Sequence, residues 1–522
     1  MVVLRFWVSR GQNVFMFVRK KPNKSGSVSV QVIDKSGHGY RVVATIGSAR
    51  DPDEINRLVA LGRQFIRRQS RQYDLFPEDQ RDNAAVLSFV ETLSNASIRT
   101  LGPELIFGRL FDEIGFGVIP ESLFRDIVVA RLVYPTSKLK TVDYLYRYRG
   151  KTVSPDSVYL FLDRLNKQYS QQAQTIAYEY SCKTLKRISV VFYDVTSLYF
   201  EAEDEDDLRK IGFSKDGKFQ NPQIMLGLLV GQNGYPIGYD IFEGNTFEGK
   251  TLIPVLKDIE RRYRFGKPIV VADAAMLSKV NLAALNGGKY PFIVAARLRN
   301  ETQAMQAEIL QRCTGLTNGQ SVVIDQQAGH RLIVSYSDNR AKKDAHNRNR
   351  GLARLRKRVS SGKLTKEHLN NRGYNRFLKL TGEVSVEIDE SQIEQATRWD
   401  GLKGYLTNTD LSADTVIENY GQLWHIEKAF RISKTDLRIR PIFHRRRRRI
   451  EAHVLVAFVA YTIYKELERR LREAGLTTSP KRAAELTQTM YELAFKLPND
   501  PAARRILLRM DPEQQQIYDL IY

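Results

Sequence analysis

The chain has 522 residues, of which 81 are Lys or Arg and 59 are Asp or Glu, so its formal net charge is +22. Such a length predicts two to four domains rather than one core. The positive charge favours nucleic acid as a partner ahead of an anionic membrane. The longest apolar run, Val454–Tyr464, has the length of a buried helix and is too short to span a membrane.

Two further features indicate a cytoplasmic protein. The N-terminus lacks the basic, apolar and small-residue succession of a signal peptide. The two cysteines, Cys182 and Cys313, form no closely spaced pair, which argues against a disulfide framework and against a zinc site. We therefore expect a reducing compartment.

Residues 1–70 predict a small sheet followed by a helix. Apolar and polar residues alternate in Val14–Arg19, Ser27–Val32 and Tyr40–Ile46, which is typical of strands. Asp51–Ser70 is amphipathic and basic, and Pro52 opens it as a helix. Residues 84–185 show helical periodicity, so we expect a helical, DNA-binding region over 71–185.

Residues 186–300 predict the order strand, hairpin, helix, strand, helix, strand. Asp194 lies inside the apolar run Ser189–Phe200, and Asn233-Gly234 turns the hairpin that follows. Asp273 comes directly after the strand Ile269–Ala272, and a last strand covers Phe292–Arg297. This order predicts a mixed sheet.

Residues 301–412 interrupt that order. Four runs within them are strand-like, and 14 Lys or Arg residues lie between Arg340 and Lys379 against two acidic residues. The strand-like runs are Gln320–Ile324, Arg331–Ser337, Glu383–Glu387 and Gly404–Thr407. Helices are predicted over Ser412–Lys434 and Arg447–Ala474, and they account for most of the segment 413–474. Short helices are predicted over 475–522.

Three carboxylates indicate where chemistry takes place. Asp194 and Asp273 lie in or directly after buried strands, where a carboxylate is costly unless a cation or hydrogen bonds satisfy it. Glu427 lies on the helix predicted over Ile417–Lys434. Convergence of the three on divalent ions would suit phosphodiester chemistry, since carboxylates are natural ligands of Mg²⁺.

The spacing around Glu427 carries a family resemblance. Insertion-sequence transposases of the DDE type share a signature of Tyr, two residues, Arg, three residues, Glu, six residues, Lys. Here Tyr420, Glu427 and Lys434 stand at those positions, and Leu423 occupies the Arg position. Arg431, one turn beyond Glu427, could supply the Arg function. The motifs YDVTS and VVADAAMLS, which carry the two aspartates, resemble the family's first and second acidic motifs.

The resemblance implies an α/β fold. We expect a ribonuclease-H-like mixed-sheet core, formed by residues 186–300 and 413–474, with a mainly β insertion at 301–412. A small N-terminal sheet and a helical region (1–70 and 71–185) would precede the core, and a C-terminal helical tail (475–522) would follow it.

The resemblance also implies an activity. Asp194, Asp273 and Glu427 would hold two Mg²⁺ ions, for which Mn²⁺ could substitute. Water would cleave the transposon end, and the freed 3′-hydroxyl would attack double-stranded target DNA. Residues 1–185 would recognise the terminal inverted repeats, and the active form would be a homodimer on DNA, with no membrane partner.

The candidate DNA contacts are of two kinds. Some lie near Glu427, where they would contact phosphate beside the cleaved bond, and the others belong to the basic cluster after Arg340 and to the arginine run 445–449. They are Tyr420, Lys434, Arg431, Lys342, Lys343, Arg348, Arg350, Arg354, Arg356, Arg445 and Arg446. Their alternative role is as ordinary solvated surface charges.

Alternatives to a transposase stay open from the sequence. One is a nuclease of the same fold that cleaves DNA without strand transfer. Another is a catalytically inactive DNA-binding derivative: the intact acidic triad argues against it, and Leu423 at the signature Arg position argues mildly for it. At the residue level, Asp273 could cap the following helix, and Glu427 could pair with Arg431.

Overall fold

The computed structural model describes residues 16–35, 39–69, 86–87, 89–91, 93–214, 217–263, 266–276, 278–361, 373–381, 385–496 and 502–522. Parts of the predicted region 71–185 and of the basic cluster 340–379 lie outside these residues. The chain forms two compact units: Met1–Asn95 with Lys496–Ala503, and Ala96–Phe495 with Arg504–Tyr522.

The first unit contains a three-stranded antiparallel sheet and a helix. Strands β1 (Met16–Pro22), β2 (Val28–Asp34) and β3 (Arg41–Ala49) pair in sequence order, and α1 (Pro52–Gln69) follows. Val30, Val32 and Ile33 of the central strand are fully buried. The predicted sheet and the helix opened by Pro52 are thus confirmed.

The second unit begins with a helical layer. A short strand β4 (Ile98–Thr100) is followed by α2 (Arg109–Ile114), α3 (Ser122–Val133), α4 (Lys138–Arg149), α5 (Pro155–Arg164) and α6 (Ser170–Leu185). Ser137 and Ser154 cap α4 and α5 by accepting backbone N–H groups of their first turns. Four of these helices, α2, α3, α5 and α6, pack on a long C-terminal helix, α14 (Arg447–Glu473).

An eight-stranded mixed sheet forms the centre of this unit. Its order is β10-β11-β14-β9-β8-β5-β6-β7, where β5 pairs in parallel with β8 and β8 in parallel with β9. The strands are β5 (Val190–Tyr199), β6 (Gln223–Gly231), β7 (Pro236–Glu243), β8 (Ile269–Ala272), β9 (Phe292–Ala296), β10 (Ser321–Asp325), β11 (Arg331–Tyr336) and β14 (Leu402–Thr407).

The ribonuclease-H-like core is recognisable in half of this sheet. An antiparallel meander, β5-β6-β7, is followed by two strands parallel to β5, giving the order β7-β6-β5-β8-β9. The connections are α7 (Leu252–Arg262) between β7 and β8, and α8 (Lys279–Gly287) between β8 and β9. The fold class and the element order predicted for residues 186–300 are confirmed.

Residues 301–412 contribute to the same sheet. Their strands β10, β11 and β14 extend it beyond β9, whereas β12 (Leu378–Thr381) and β13 (Ser385–Ile388) form a separate hairpin. This segment also contains α9 (Gln303–Arg312), α10 (Asp338–Ser360) and α11 (Glu390–Thr397). The long helix α10 carries much of the basic cluster and was not predicted.

The C-terminal part is mostly helical. It contains α12 (Ala413–Gly421), α13 (Trp424–Arg431), α14, α15 (Pro480–Thr487) and α16 (Pro512–Ile521). Strands β15 (Tyr491–Lys496) and β16 (Ala503–Leu507) form a small sheet with β4, so the prediction of short helices alone for this tail is wrong.

The predicted burial of Val454–Tyr464 is confirmed, because α14 is buried along this stretch. No helix in the described ranges combines the length and hydrophobicity needed to cross a membrane. Cys182 and Cys313 are both free thiols.

The β6–β7 hairpin offers a test of the fold. Asn233 and Gly234 have φ of 58° and 77°, the left-handed values that a tight hairpin turn requires. We expect Gly234→Ala to lower the free energy of unfolding by about 1–2 kcal/mol, since a Cβ is disfavoured there. Urea unfolding followed by circular dichroism measures this. The control is Gly287→Ala at the end of α8, where an added Cβ meets no atom within 4 Å. Equal unfolding midpoints for the two variants would contradict the assignment of the turn.

Candidate active site

The two aspartates are brought together by the sheet. β5 and β8 pair in parallel with Tyr193 opposite Ala272, so the next residues, Asp194 and Asp273, are neighbours on adjacent strands. Side chains alternate between faces along a strand, and register partners share a face. Asp194 therefore lies on the same face as Phe192, and Asp273 lies on that face too. Both carboxylates are half-buried.

Asp273 is oriented by the backbone that follows it. One of its carboxylate oxygens, Oδ1, accepts a hydrogen bond of 2.8 Å from the backbone N–H of Ala275. The aspartate thus caps the turn after β8, as one alternative predicted. No hydrogen bond within the described part of the chain holds its second oxygen, Oδ2, so the cap leaves that oxygen available.

Glu427 reaches the site on α13, which packs on the face of β5 that carries Asp194. The rings of His425 and Phe192 are 6.0 Å apart between centroids, and Ile426 is buried in the same core as Phe192. Glu427 itself is exposed. No ion pair joins it to Arg431 among the described residues, so that alternative reading of the helix is not supported.

Tyr420 lies within the electrostatic range of both Asp273 and Glu427. Its ring is buried, and burial raises the pKa of its hydroxyl above the usual value, with further contributions from the negative charges of Asp273 and Glu427. A single phenol therefore lies within the electrostatic range of both carboxylates. Asp273 and Glu427 share this neighbour although 154 residues separate them in the sequence.

The three carboxylates do not form a closed ligand set. Within the residues that the structure describes, no group of three His, Cys, Asp or Glu side chains is arranged to hold a metal ion. The sheet brings Asp194 and Asp273 together, and Glu427 lies on the same side without completing a three-carboxylate group. Their oxygen-only chemistry fits a hard divalent cation.

The single helix predicted over Ser412–Lys434 is wrong, because the chain breaks there. α12 ends at Gly421, tight turns with Leu423 N–H bonded to the Tyr420 carbonyl follow, and α13 begins at Trp424. A π-helical turn then covers Ile432–Asp436. These turns have fewer or more residues per turn than the roughly 3.6 of an α-helix. A spacing of seven residues therefore does not place Tyr420, Glu427 and Lys434 on one helix face. Tyr420 is buried, Glu427 exposed and Lys434 half-buried.

Leu423 occupies a buried position, in contact with the apolar core that also contains Ile426. An arginine there would have to place its guanidinium in apolar surroundings. The burial of residue 423 at the start of α13 therefore explains why leucine suits this position. Arg431, at the end of the same helix, is exposed.

Lys403 is a site residue that sequence reasoning missed. Its ammonium Nζ lies 4.2 Å from the ring centroid of Tyr420 and 5.3 Å from that of Tyr405. Burial, and then the positive charge of Arg340, lowers the pKa of Lys403, whereas the negative charge of Glu427 raises it. The Lys403 ammonium therefore lies within the electrostatic range of the candidate glutamate. The available signal was a lysine inside the otherwise apolar run of β14.

A basic cleft of about 590 Å³ opens beside Asp273. It starts at Ala274 and runs between the end of β9, α10 and the start of β14. Aromatic rings of Tyr374 and Trp399 line it, together with six basic side chains and two acidic ones. The basic residues are Arg297, Arg299, Arg340, Arg348, Arg376 and Lys403, and the acidic ones are Asp344 and Asp400.

The predicted DNA contacts on α10 divide into free and paired cations. Arg348 is half-buried and forms an ion pair with Asp400 at 2.5 Å, and Arg356 pairs with Glu390 at 3.2 Å on the surface. The remaining four are exposed, and no ion pair holds them in the described ranges. They are Lys342, Lys343, Arg350 and Arg354.

The arginine run divides in a similar way. Arg445 and Arg446 are exposed and make no ion pair within the described part of the chain. The next three arginines are engaged: Arg447 pairs with Glu451, and Arg448 and Arg449 both pair with Asp163, each at 2.9 Å. Only the first two are thus unengaged.

The buried position of Leu423 can be tested directly. We expect Leu423→Arg to lower the free energy of unfolding by about 3 kcal/mol or more, because it buries an unpaired charge. Leu423→Met should cost less than about 1.5 kcal/mol. Gln422→Arg, at the neighbouring half-buried position, is the matched control. Urea unfolding midpoints decide: a Leu423→Arg protein as stable as the control would place residue 423 at the surface.

Comparison with known proteins identifies the family. The family model described as a transposase DDE domain matches residues 185–463, just over half of the chain. A search of the curated proteins finds no significant match. Among solved structures, a piggyBac transposase synaptic complex with hairpin DNA is 10% identical, with 74% of this chain and 76% of that chain covered and a TM-score of 0.40.

Two Mos1 structures are also similar over part of their length. The Mos1 transposase paired-end complex with the left transposon end is 13% identical, with 30% of this chain and 53% of that chain covered and a TM-score of 0.15. The Mos1 mariner paired-end complex with Mn is 15% identical, with 30% and 54% covered and a TM-score of 0.14. On the match to the family model, the chain belongs to the DDE transposases, which bind DNA and catalyse its metal-dependent cleavage and strand transfer.

Proposed function

We propose that Asp194, Asp273 and Glu427 are the metal-binding carboxylates of this transposase. The observation that carries the proposal is the parallel register of β5 and β8, which places both aspartates on the face that α13 covers. DDE transposases use divalent metal ions. Two Mg²⁺ ions, for which Mn²⁺ can substitute, suit the all-oxygen donors of this site.

Each carboxylate has a definite part in this proposal. The second oxygen of Asp273 would bind an ion, because the first accepts the backbone N–H of Ala275, and Asp194 would supply the neighbouring ligand. Glu427 is exposed, so its side chain is free to rotate toward the aspartates. When bound, a pair of divalent ions lowers the pKa of attacking water and stabilises the leaving oxygen.

The cations around the carboxylates would hold the DNA. Lys403 lies over the ring of Tyr420, lines the basic cleft and is within the electrostatic range of Glu427. A DNA phosphate in this cleft would attract the Lys403 ammonium and reduce its interaction with Glu427, which leaves the glutamate free to join the metal ligands. Arg431, Lys434 and Tyr420 would contact the DNA beside the cleaved bond.

The substrates proposed for this site are transposon ends and target DNA. Water attack at a terminal inverted repeat would free a 3′-hydroxyl, which then attacks the target strand. Residues 1–185 would recognise the repeat, and two copies of the chain would act on paired ends as a homodimer. This reaction would take place on DNA in the bacterial cytoplasm.

A catalytically inactive DNA-binding derivative is the second candidate. Two observations favour it: Leu423 stands at the signature Arg position, and the three carboxylates form no closed ligand group in the described residues. Tight binding of end DNA with no Mg²⁺-dependent cleavage would support this candidate. Cleavage without joined products would instead indicate a nuclease of the same fold.

Replacement of the carboxylates by their amides tests the site. We expect Asp194→Asn, Asp273→Asn and Glu427→Gln each to reduce cleavage of labelled end DNA by about 1,000-fold, because each removes a charged metal ligand worth several kcal/mol in the transition state. DNA affinity should stay within about threefold of wild type. Glu418→Gln, an exposed glutamate on α12, is the matched control. A variant that retains cleavage would remove its residue from the site.

Salt dependence tests the free cations of α10. We expect replacement of Lys342, Lys343, Arg350 and Arg354 by Ala to weaken DNA binding and to reduce the slope of log K against log salt by about 0.9 for each lost phosphate contact. Arg261→Ala is the control, since Arg261 lies exposed on α7, outside the cleft, and is already paired with Asp258. Fluorescence anisotropy between 50 and 300 mM salt, roughly the range over which such slopes are measured, gives both values. An unchanged slope in the quadruple variant would show that this helix surface does not contact DNA.

A further inference from the structure

A second pocket, of about 430 Å³, lies away from the carboxylates. It is formed where α3 leads into α4 and where the segment 438–444 approaches the first half of α14. Arg440, which lines it, lies 5.7 Å from the ring centroid of Tyr199. Tyr199 is five residues beyond Asp194 on β5, or roughly 16 Å at the usual strand rise. The pocket is therefore separate from the proposed metal site.

Buried basic side chains dominate this pocket. The exposed fractions of Arg131, Lys138, His444 and His453 are only 4%, 6%, 8% and 6%. No Asp or Glu is among the residues that line it. Buried charges are normally paired, because removal of an unpaired ion from water costs several kcal/mol. An assembly of basic groups without a carboxylate suggests a missing anionic partner.

The hydrogen bonds of these groups are incomplete. Arg131 Nη1 donates to the carbonyls of Leu437 and Arg438 over long distances of 3.4 and 3.3 Å. His453 Nε2 faces the Ile439 carbonyl at 2.8 Å, and its buried Nδ1 has no hydrogen-bond partner. Among the described residues, no hydrogen bond or ion pair holds the Lys138 ammonium.

The electrostatics agree with this geometry. Burial, and then the charge of Arg131, lowers the pKa of Lys138 well below its usual value. Burial, and then the charges of Lys138 and Arg131, lowers the pKa of His444 to about 3. These groups therefore destabilise one another's charged forms, and an anion placed among them would reverse that effect.

The N-terminus of α4 adds donors from another direction. Lys138 is the first residue of this 12-residue helix, and the Ser137 side chain caps it. The backbone N–H groups at a helix start favour an anion. Two exposed apolar side chains, Leu139 and Phe443, flank the pocket at its surface. The pocket thus combines an interior of buried basic side chains with an apolar rim.

We propose that this pocket binds a phosphate group, carried either by DNA or by a free phosphorylated compound. The donors of Arg131, Lys138 and the start of α4, which line one pocket, suit a tetrahedral, multiply charged oxyanion. The burial of these donors distinguishes the site from the exposed cations of α10. The proposal is independent of the roles assigned to Asp194, Asp273 and Glu427, although its DNA form rests on the function of the family.

Inorganic phosphate is the first probe. Full-length protein is heated in increasing phosphate at constant ionic strength, with chloride as the balancing anion, and the unfolding midpoint is measured. Wild type should show a saturable rise, because a ligand that binds only the folded state stabilises it. In Lys138→Met the apparent affinity should fall at least tenfold. Lys140→Met, which removes the same charge from an exposed position on α4, should behave as wild type.

The folding of the variant is controlled in the same experiment. Since the methionine replaces a buried, unpaired ammonium, Lys138→Met should be at least as stable as wild type without phosphate. His444→Phe is a second, independent variant that should also lose the phosphate response. If wild type shows no saturable rise, or if both pocket variants retain it, the proposal is wrong.

A DNA-binding measurement identifies the source of the phosphate. If DNA supplies it, Lys138→Met should bind a labelled duplex at least tenfold more weakly than Lys140→Met, and inorganic phosphate should compete. If a free compound supplies it, the two variants should bind the duplex equally while only Lys140→Met responds to phosphate. Loss of cleavage in the Asp194→Asn protein would leave both results unchanged, so the two proposals fail separately.

Discussion

The parallel pairing of β5 with β8 is the constraint on which the candidate site depends. Its register fixes Tyr193 against Ala272 and thereby places Asp194 beside Asp273. A slip of one residue would move one aspartate to the opposite face, because side chains alternate along a strand. The buried neighbours prevent such a slip: Val191 and Tyr193 pack into one core, and Phe192 packs into the other. Packing on both faces of the sheet therefore determines where the acidic residues lie.

The long helix α14 supports the face that carries the site. It is buried along most of its length and contacts the helices of the N-terminal layer. Near its end, the fully buried carboxylate of Glu466 accepts hydrogen bonds from Tyr235 next to the β6–β7 turn and from Arg469 and Arg470. A buried carboxylate with this many donors has its hydrogen-bonding capacity satisfied. It connects α14 to the β6–β7 hairpin, at the sheet edge opposite the strands that line the basic cleft.

Local signals predicted the core well. The strand Ile269–Ala272 has the predicted bounds. The short apolar run indicates the strand, and the Asp that follows it indicates where the strand ends. The hairpin was predictable because Asn-Gly favours the left-handed turn that the structure has. The convergence of Asp194 and Asp273 was expected because both carboxylates lie in or directly after buried strands, and the parallel register of β5 and β8 brings them side by side.

Features that depend on distant contacts were not predictable. At the break before α13, Leu423 and Ile426 are buried in the core. The spacing of residues in the sequence does not reveal this burial, because it depends on contacts with distant segments. The helix α10 was not predicted because most of its residues are charged or polar, and its apolar face contains few residues, among them Leu352 and Leu355. The merging of β10, β11 and β14 with the central sheet depends on long-range pairing that the individual strands do not specify.

The cations behind the net charge of +22 lie in three environments, which differ in exposure to solvent. Exposed cations on α10 act at a distance on a polyanion, and solvent and salt screen them. The half-buried Lys403 acts over a few ångströms, beside Tyr420 and within range of Glu427. The buried cations around Lys138 are shielded from water and would act on a single group that enters their pocket. These environments differ in desolvation, so the same residue types would serve for attraction, for positioning at the cleavage site and for selective binding.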